Sequence, residues 1–242
     1  MLKALLDLLL PRYCMGCGKR LTGEEKHLCL HCLIRLPRTG LWLNAEENVL
    51  AKNFWGRTGK TEVKKVAAFL DYGKTTTVGK IIHTFKYRGN RQLACDMGQL
   101  MAREIRDTGF FENIDCIIPV PLTFWRRLHR GYNQAERIAH GVKKEMGIPV
   151  MTGVLKRKRF VKSQTMLTQR ERQENVKDSF KLRSTDDLSG KHLLLIDDVI
   201  TTGATTRECV RQLAEIPDVK VSILALSTVQ TAELRVEVKK KE

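Results

Sequence analysis

Leu193, Leu194, Leu195 and Ile196 form an uninterrupted apolar run between turn-forming residues and a pair of carboxylates. A short apolar run so bounded reads as a buried strand, whereas the more widely spaced apolar positions of TTRECVRQLAEI, residues 205–216, read as an amphipathic helix. The same alternation recurs along the chain. Strands are predicted over KKVAAFLDYG (64–73), IDCIIPVPL (114–122, stopped by Pro119 and Pro121), PVMTGVLKRKR (149–159), HLLLIDD (192–198) and VKVSILALST (219–228). Helices are predicted over TTTVGKIIHTFKYRG (75–89), residues 91–106 and NQAERIAHGVKKEMG (133–147). Strands alternating with helices predict an α/β fold with a mainly parallel sheet covered on both faces. Residues 37–63 show no clear period and read as a linker. The opening MLKALLDLLLP reads as a short amphipathic helix, too short for a membrane span and without a cleavage site. No apolar run approaches the roughly 18 residues of a span, so a cytoplasmic protein is expected.

The handover from strand to helix near residue 200 carries more chemistry than a turn requires. One glycine and an N-cap threonine would suffice, yet Asp197, Asp198, Thr201, Thr202, Gly203, Thr205 and Thr206 all gather there. In open parallel sheets, this end of the strands is where ligands bind. A Thr/Gly loop that opens a helix offers N–H and hydroxyl donors to an anion without any lysine.

Seven cysteines divide unevenly. Cys14, Cys17, Cys29 and Cys32 form two CxxC pairs separated by eleven residues, a spacing that suits one tetrahedral metal ion. Structural zinc is the expectation and a pair of disulfides the alternative; His27 and His31 are possible substitute ligands. Four thiolates close the shell, so the metal would fold the segment or present a surface, with no open position for substrate. Cys95, Cys116 and Cys209 read as small core residues.

Charge adds a partner class. The chain holds 43 Lys and Arg against 27 acidic residues, a formal charge of +16. Such an excess points to a polyanion, although a generally basic solvated surface would give the same total. Position favours the first reading. Residues 156–183 contain ten basic side chains, and Arg126, Arg127 and Arg130 are interleaved with Phe124, Trp125 and Tyr132. Cations mixed with aromatic rings suit single-stranded nucleic acid, the charges following the backbone and the rings stacking on bases. The same arginines could instead hold a pyrophosphate.

IDDVITTGAT, residues 196–205, resembles the phosphoribosyl pyrophosphate (PRPP) signature of type I phosphoribosyltransferases. The wider chain resembles the ComF family of competence proteins, of the ComFC type, through the CxxC pairs, FKYRGNRQLA (85–94), PVPL followed by RGYNQAERIA, and SQTMLTQRERQENVKDSF (163–180). The resemblance implies a zinc module and linker over residues 1–62 and a phosphoribosyltransferase-type domain over 63–242. It implies that Asp197 and Asp198, the candidate catalytic pair, bind the ribose 2- and 3-hydroxyls. Thr201, Thr202, Gly203, Ala204 and Thr205 would cradle the 5-phosphate, and Val120, Pro121 and Leu122 would touch the pyrophosphate. Arg126 and Arg130 would lie in or beside a segment that closes over the site. Magnesium would arrive with the pyrophosphate. Tyr87, Arg88, Gly89, Gln164, Arg172 and Asn175 fall in matching blocks without a derivable role.

Three functions fit these residues. The first is a protein of DNA uptake that binds PRPP and single-stranded DNA and works with a ComF-type helicase. The second is an active phosphoribosyltransferase of nucleotide salvage or nucleoside metabolism. The third is a zinc-anchored scaffold with a vestigial site, against which the intact acid pair and loop count. Whether the chain is an enzyme stays open in the sequence, because no constellation for handling the proton of a nitrogenous acceptor is evident.

Overall fold

A computed structural model of the protein describes residues 11–56, 63–158, 179–183 and 187–229. In chain order the elements are α1 (Leu30–Ile34), α2 (Val49–Lys52), β1 (Val63–Asp71), α3 (Thr77–Tyr87), α4 (Arg91–Ile105), β2 (Cys116–Pro119), α5 (Phe124–Arg130), α6 (Gln134–Met146), β3 (Leu155–Arg157), β4 (Phe180–Leu182), β5 (His192–Ile200), α7 (Ala204–Leu213) and β6 (Lys220–Thr228). The α/β expectation holds. Four strands form a parallel sheet in the order β1-β6-β5-β2. Leu193 to Ile196 are fully buried in β5, which lies between β6 and β2, so the apolar run has neighbours on both sides. The predicted helices form where their caps stand, with the Thr76, Asn90 and Asn133 side chains accepting backbone N–H bonds at the starts of α3, α4 and α6.

Helices α4 and α6 approach to backbone contact. A Cβ on Gly98 would meet the Ile138 carbonyl oxygen at 2.2 Å, and one on Gly141 would meet the Cys95 oxygen at 2.1 Å. No side chain fits at either position without parting the pair. Helix α6 packs in turn on β2 and β5, which connects this helix layer to the strand that bears the acids.

Two elements differ from the sequence reading. Among the described residues, the strand expected over 149–159 forms at Leu155–Arg157 and pairs antiparallel with β4 in a separate two-stranded sheet, and a single parallel bridge, Val150 to Ile117, reaches the main sheet. The expected linker is a packed element. Leu41, Leu50, Ala51 and Phe54 are buried in the same hydrophobic cluster as β1, and Asn48 donates to the carbonyls of Leu41, Asn44 and Val66. Its period is hidden because a short 3-10 turn and a four-residue helix each contribute only one or two core residues. The expected domain boundary at residue 62, the opening MLKALLDLLL and the closing KKKE lie outside the described residues.

Candidate functional site

The strand β5 runs on beyond the acid pair to Ile200, and the loop that follows turns at Gly203 into α7. Gly203, and not a threonine, is the N-cap; its φ of +72° lies in the left-handed region, and an added Cβ would stand 3.2 Å from the Phe54 ring. Arg207 braces the loop from one turn inside the helix, its Nη1 donating to the Thr202 carbonyl at 2.8 Å and to the Asn53 carbonyl at 3.3 Å. The segment before β1, expected to be a linker, therefore supports the loop from outside.

A second loop faces it across the sheet. Val120 N donates to the Ile196 carbonyl at 2.9 Å, and Asn133 Nδ2 donates to the Val120 carbonyl at 3.0 Å. The Val120–Leu122 turn is thus tied both to β5 and to the start of α6. Between the loops lies a cavity of 290 Å³ lined by Val120, Pro121, Leu122, Arg126, Arg130, Asp197, Asp198, Thr201 and Thr205, nine of the twelve residues marked out in the sequence. Thr202, Gly203 and Ala204 complete the loop without lining the cavity, and Ala204 N bonds the Thr202 hydroxyl at 3.4 Å.

Sequence reasoning passed over Tyr72, Lys86, Asn133 and Arg157, which line the same cavity. Lys86 Nζ pairs with Asp198 Oδ1 at 3.0 Å, both side chains being largely buried. Arg157 comes from β3, with its guanidinium 5.0 Å over the Phe180 ring and its Nε without a hydrogen-bond partner among the described residues. Burial, reinforced by the nearby Arg126 charge, lowers its pKa from the ordinary guanidinium value. Lys86 sits inside the FKYRGNRQLA block and Arg157 inside the basic 156–183 stretch, so each had a signal but none that pointed at the acids. Gln164, Arg172 and Asn175 fall outside the described residues.

The acid pair is electrostatically uneven. Burial pushes the Asp197 carboxyl up to about 7, with the Asp198 charge adding to it, while the Asp198 N–H, Lys86 and Arg157 pull the other way. An unfolded aspartate titrates near ~3.9. The protonated form is therefore favoured by folding; its contribution is complete below about pH 4 and is lost as pH rises through about 7. Asp197→Asn is expected to match the parent near pH 4 and to exceed it in stability near pH 8 by on the order of 2–4 kcal/mol, measured as urea midpoints. Equal midpoints at both pH values would sink this account.

The aromatic residues near α5 separate into two kinds. Phe124 and Trp125 are exposed, Trp125 by 70%, and stand among Arg126 and Arg127. Tyr132 is not part of that surface: it is buried, and its hydroxyl donates to the Phe85 carbonyl, so it cannot stack on a base. Its turn lies beneath Arg91, which caps the Gly131 carbonyl and covers the Tyr132 ring.

At the opposite end of the sequence the four CxxC sulfurs converge, all within 4.8 Å of one another. Cys17 and Cys29 Sγ are 3.7 Å apart, near the ~3.8 Å edge of a tetrahedron with Zn–S bonds of ~2.3 Å, and far from a ~2.05 Å disulfide. Burial pushes the Cys14 thiol up, yet the N–H groups of Cys17, Cys29 and Gly16 outweigh it and bring it down to about 6. Burial and the neighbouring sulfurs hold Cys32 at about 12. Four thiols so close cannot all ionise without a cation, and these donors fit a zinc ion. Among the described residues the converging ligand atoms are the four sulfurs, without His27 or His31; His27 Nε2 bonds Asp96 at 3.1 Å, and His31 bonds Arg35. Cys95, Cys116 and Cys209 are buried in the core as expected.

A parallel sheet with paired carboxylates and a helix-opening loop at the carboxyl end of one strand places its polar groups where open α/β sheets bind ligands and where a helix start receives an anion. The chain belongs to the Phosphoribosyl transferase domain family, which matches residues 87–240. It is similar to Competence protein F of Haemophilus influenzae, 24% identical over 220 residues covering 82% of this chain and 96% of that protein. It is also similar to the DNA utilization protein YhgH of Escherichia coli (strain K12), 28% identical over 205 residues and covering 83% of each. Among solved structures it is similar to an adenine phosphoribosyltransferase at 13% identity, covering 63% of this chain and 78% of that one with a TM-score of 0.38. No helix of the described residues is long and apolar enough to cross a membrane.

Proposed function

We propose that this chain binds PRPP in the acid-pair cavity and single-stranded DNA on the adjoining basic surface, and that it serves DNA uptake in the cytoplasm together with a helicase partner. The observation that carries the reading is the meeting of Asp197, Asp198, Thr201 and Thr205 with Arg126 and Arg130 around one 290 Å³ cavity. Adjacent carboxylates are the acceptors that vicinal hydroxyls require, and charged acceptors bind them more strongly than neutral ones. The Thr201–Thr205 loop would take the 5-phosphate at the opening turn of α7. Val120, Pro121 and Leu122, with Arg126, Arg130 and Arg157, would take the pyrophosphate, to which a magnesium ion adds neutralising charge when bound. Phe124, Trp125 and Arg127 would meet the DNA strand. The two relatives named for competence and DNA utilization support the cellular role.

Membership of a transferase family favours a second reading, an active phosphoribosyltransferase of nucleotide salvage, because the cationic lining that would bind a pyrophosphate would equally stabilise one that is leaving. One titration separates the two. A fluorescent single-stranded oligonucleotide is added to the purified protein with and without PRPP and magnesium over a salt series. Tight binding that weakens about tenfold or more between about 50 and 200 mM salt is expected, since each neutralised phosphate releases counterions. No DNA binding with PRPP still bound would transfer the assignment to the small-molecule transferase.

A further inference from the structure

Helix α3 has two faces of opposite character. Val78, Ile81, Ile82 and Phe85 are buried, while Lys80, His83, Thr84 and Tyr87, spaced three and four residues apart, lie along the other side. That polar side forms one wall of a cavity of 630 Å³, to which Tyr72, Lys74 and Arg88 also contribute. The lining carries three permanent cations and three planar rings, and no carboxylate. Its size lies within the range of small-molecule sites, roughly 300–1,000 Å³.

The rings are held in place. Tyr87 stacks against His83 at 5.0 Å with the planes tilted by 42°, and the Arg130 guanidinium stands 5.4 Å over the same ring. Even so, 57% of Tyr87 stays exposed. An aromatic residue fixed by its neighbours and left open to solvent loses little conformational freedom when a further planar group stacks on it. Lys80 Nζ donates to the Gly16 carbonyl at 3.2 Å, which holds this cation at the cavity wall beside the zinc knuckle. Tyr72 belongs to both cavities, so the second adjoins the acid-pair site without being part of it.

We infer that the cavity bounded by Tyr72, His83 and Tyr87 is a second binding site, and that it takes a nucleotide unit: a base against the Tyr87–His83 pair and a phosphate held by Lys74, Lys80 and Arg88. Flat apolar faces next to cations, with no acid in the lining, match a ring that carries a phosphate, and the three cations disfavour a cationic ligand. A neutral heterocycle would leave three cations without a counter-charge. The nucleotide can be free or part of a strand; only the strand as its source rests on the function proposed above.

The test uses the full chain and two probes, thymidine monophosphate and a fluorescent thymidine oligonucleotide of about a dozen units. Tyr87→Ala is expected to weaken binding of the oligonucleotide roughly five- to a hundredfold, the range for loss of one stacked base, while Tyr87→Phe retains it. Lys74→Ala with Arg88→Ala is expected to weaken both probes and to reduce the salt dependence. Binding of the monophosphate alone, sensitive to Tyr87, would support a free nucleotide as ligand and count only against the single-strand reading. Oligonucleotide binding that ignores Tyr87 and responds to Phe124→Ala with Trp125→Ala would overturn the second site and leave that reading intact. Failure of both probes to bind overturns the inference, and PRPP calorimetry on the same preparation shows whether the protein is folded and its acid-pair site competent.

Discussion

Replacing Asp197 and Asp198 together with asparagine is expected to weaken PRPP binding by one to two orders of magnitude while leaving the fold unchanged. The substitution keeps volume and replaces two carboxylate acceptors with neutral amide oxygens; a hydrogen bond to a charged group contributes about 1.5–3 kcal/mol against about 0.5–1.5 for a neutral one, so the two changes weaken binding by roughly thirty- to a hundredfold. The fold should tolerate the change, because neither carboxylate holds a core element together. Asp197 accepts its neighbour's N–H at 2.8 Å, which an amide oxygen can also do, and Asp198 pairs with Lys86 across the cavity. Calorimetry with PRPP and magnesium reads the affinity and circular dichroism the fold. An affinity equal to that of the parent would defeat the site assignment.

Loss of zinc is the second large effect. Chelation, or Cys14→Ser, is expected to unfold the segment around residues 11–36, because its few core residues, Leu21, Leu28 and Leu36, cannot by themselves repay the entropy of ordering it. The damage should spread beyond the knuckle. His27 bonds Asp96 on α4, Arg38 bonds Glu104 on the same helix at 2.7 Å, and Lys80 on α3 bonds Gly16. Limited proteolysis should open cleavage sites in the first segment, and elemental analysis should find about one zinc per intact chain. A protease-resistant Cys14→Ser protein whose parent holds no zinc would exclude this role for the cysteines.

The parts of the site that can be read in the sequence are those whose residues are neighbours in the chain. Asp197, Asp198 and the threonines to Thr205 follow one another along β5 and its loop, and the four cysteines come as two close pairs. Val120 and Arg126 were marked by the family resemblance and not by a local pattern; the parallel sheet brings their loop to the acid pair. Lys86 and Arg157 reach the cavity from α3 and from a small separate sheet, contacts set by packing that no local pattern encodes. The segment before β1 was hidden for a related reason: its Phe54 and Leu50 are core residues by virtue of β1, which lies beyond them in the chain. Tyr132 misled in the opposite sense, since its spacing among arginines looks like an exposed stacking residue while its hydroxyl is turned inward to Phe85.

The side-by-side carboxylates of β5 also bear on how one surface could serve both a sugar phosphate and a DNA strand. Deoxyribose lacks the 2-hydroxyl and, within a strand, its 3-oxygen is esterified, so a DNA sugar entering the cavity would leave both carboxylates of the pair without a hydroxyl partner. A site built to bond a hydroxyl discriminates against the analogue that lacks it by up to about 10⁴–10⁵. With PRPP as the ligand of Asp197 and Asp198, the acid pair would act as a filter for sugar identity: a bound strand would lie against the neighbouring arginines and rings while its own sugars are turned away from the place kept for ribose.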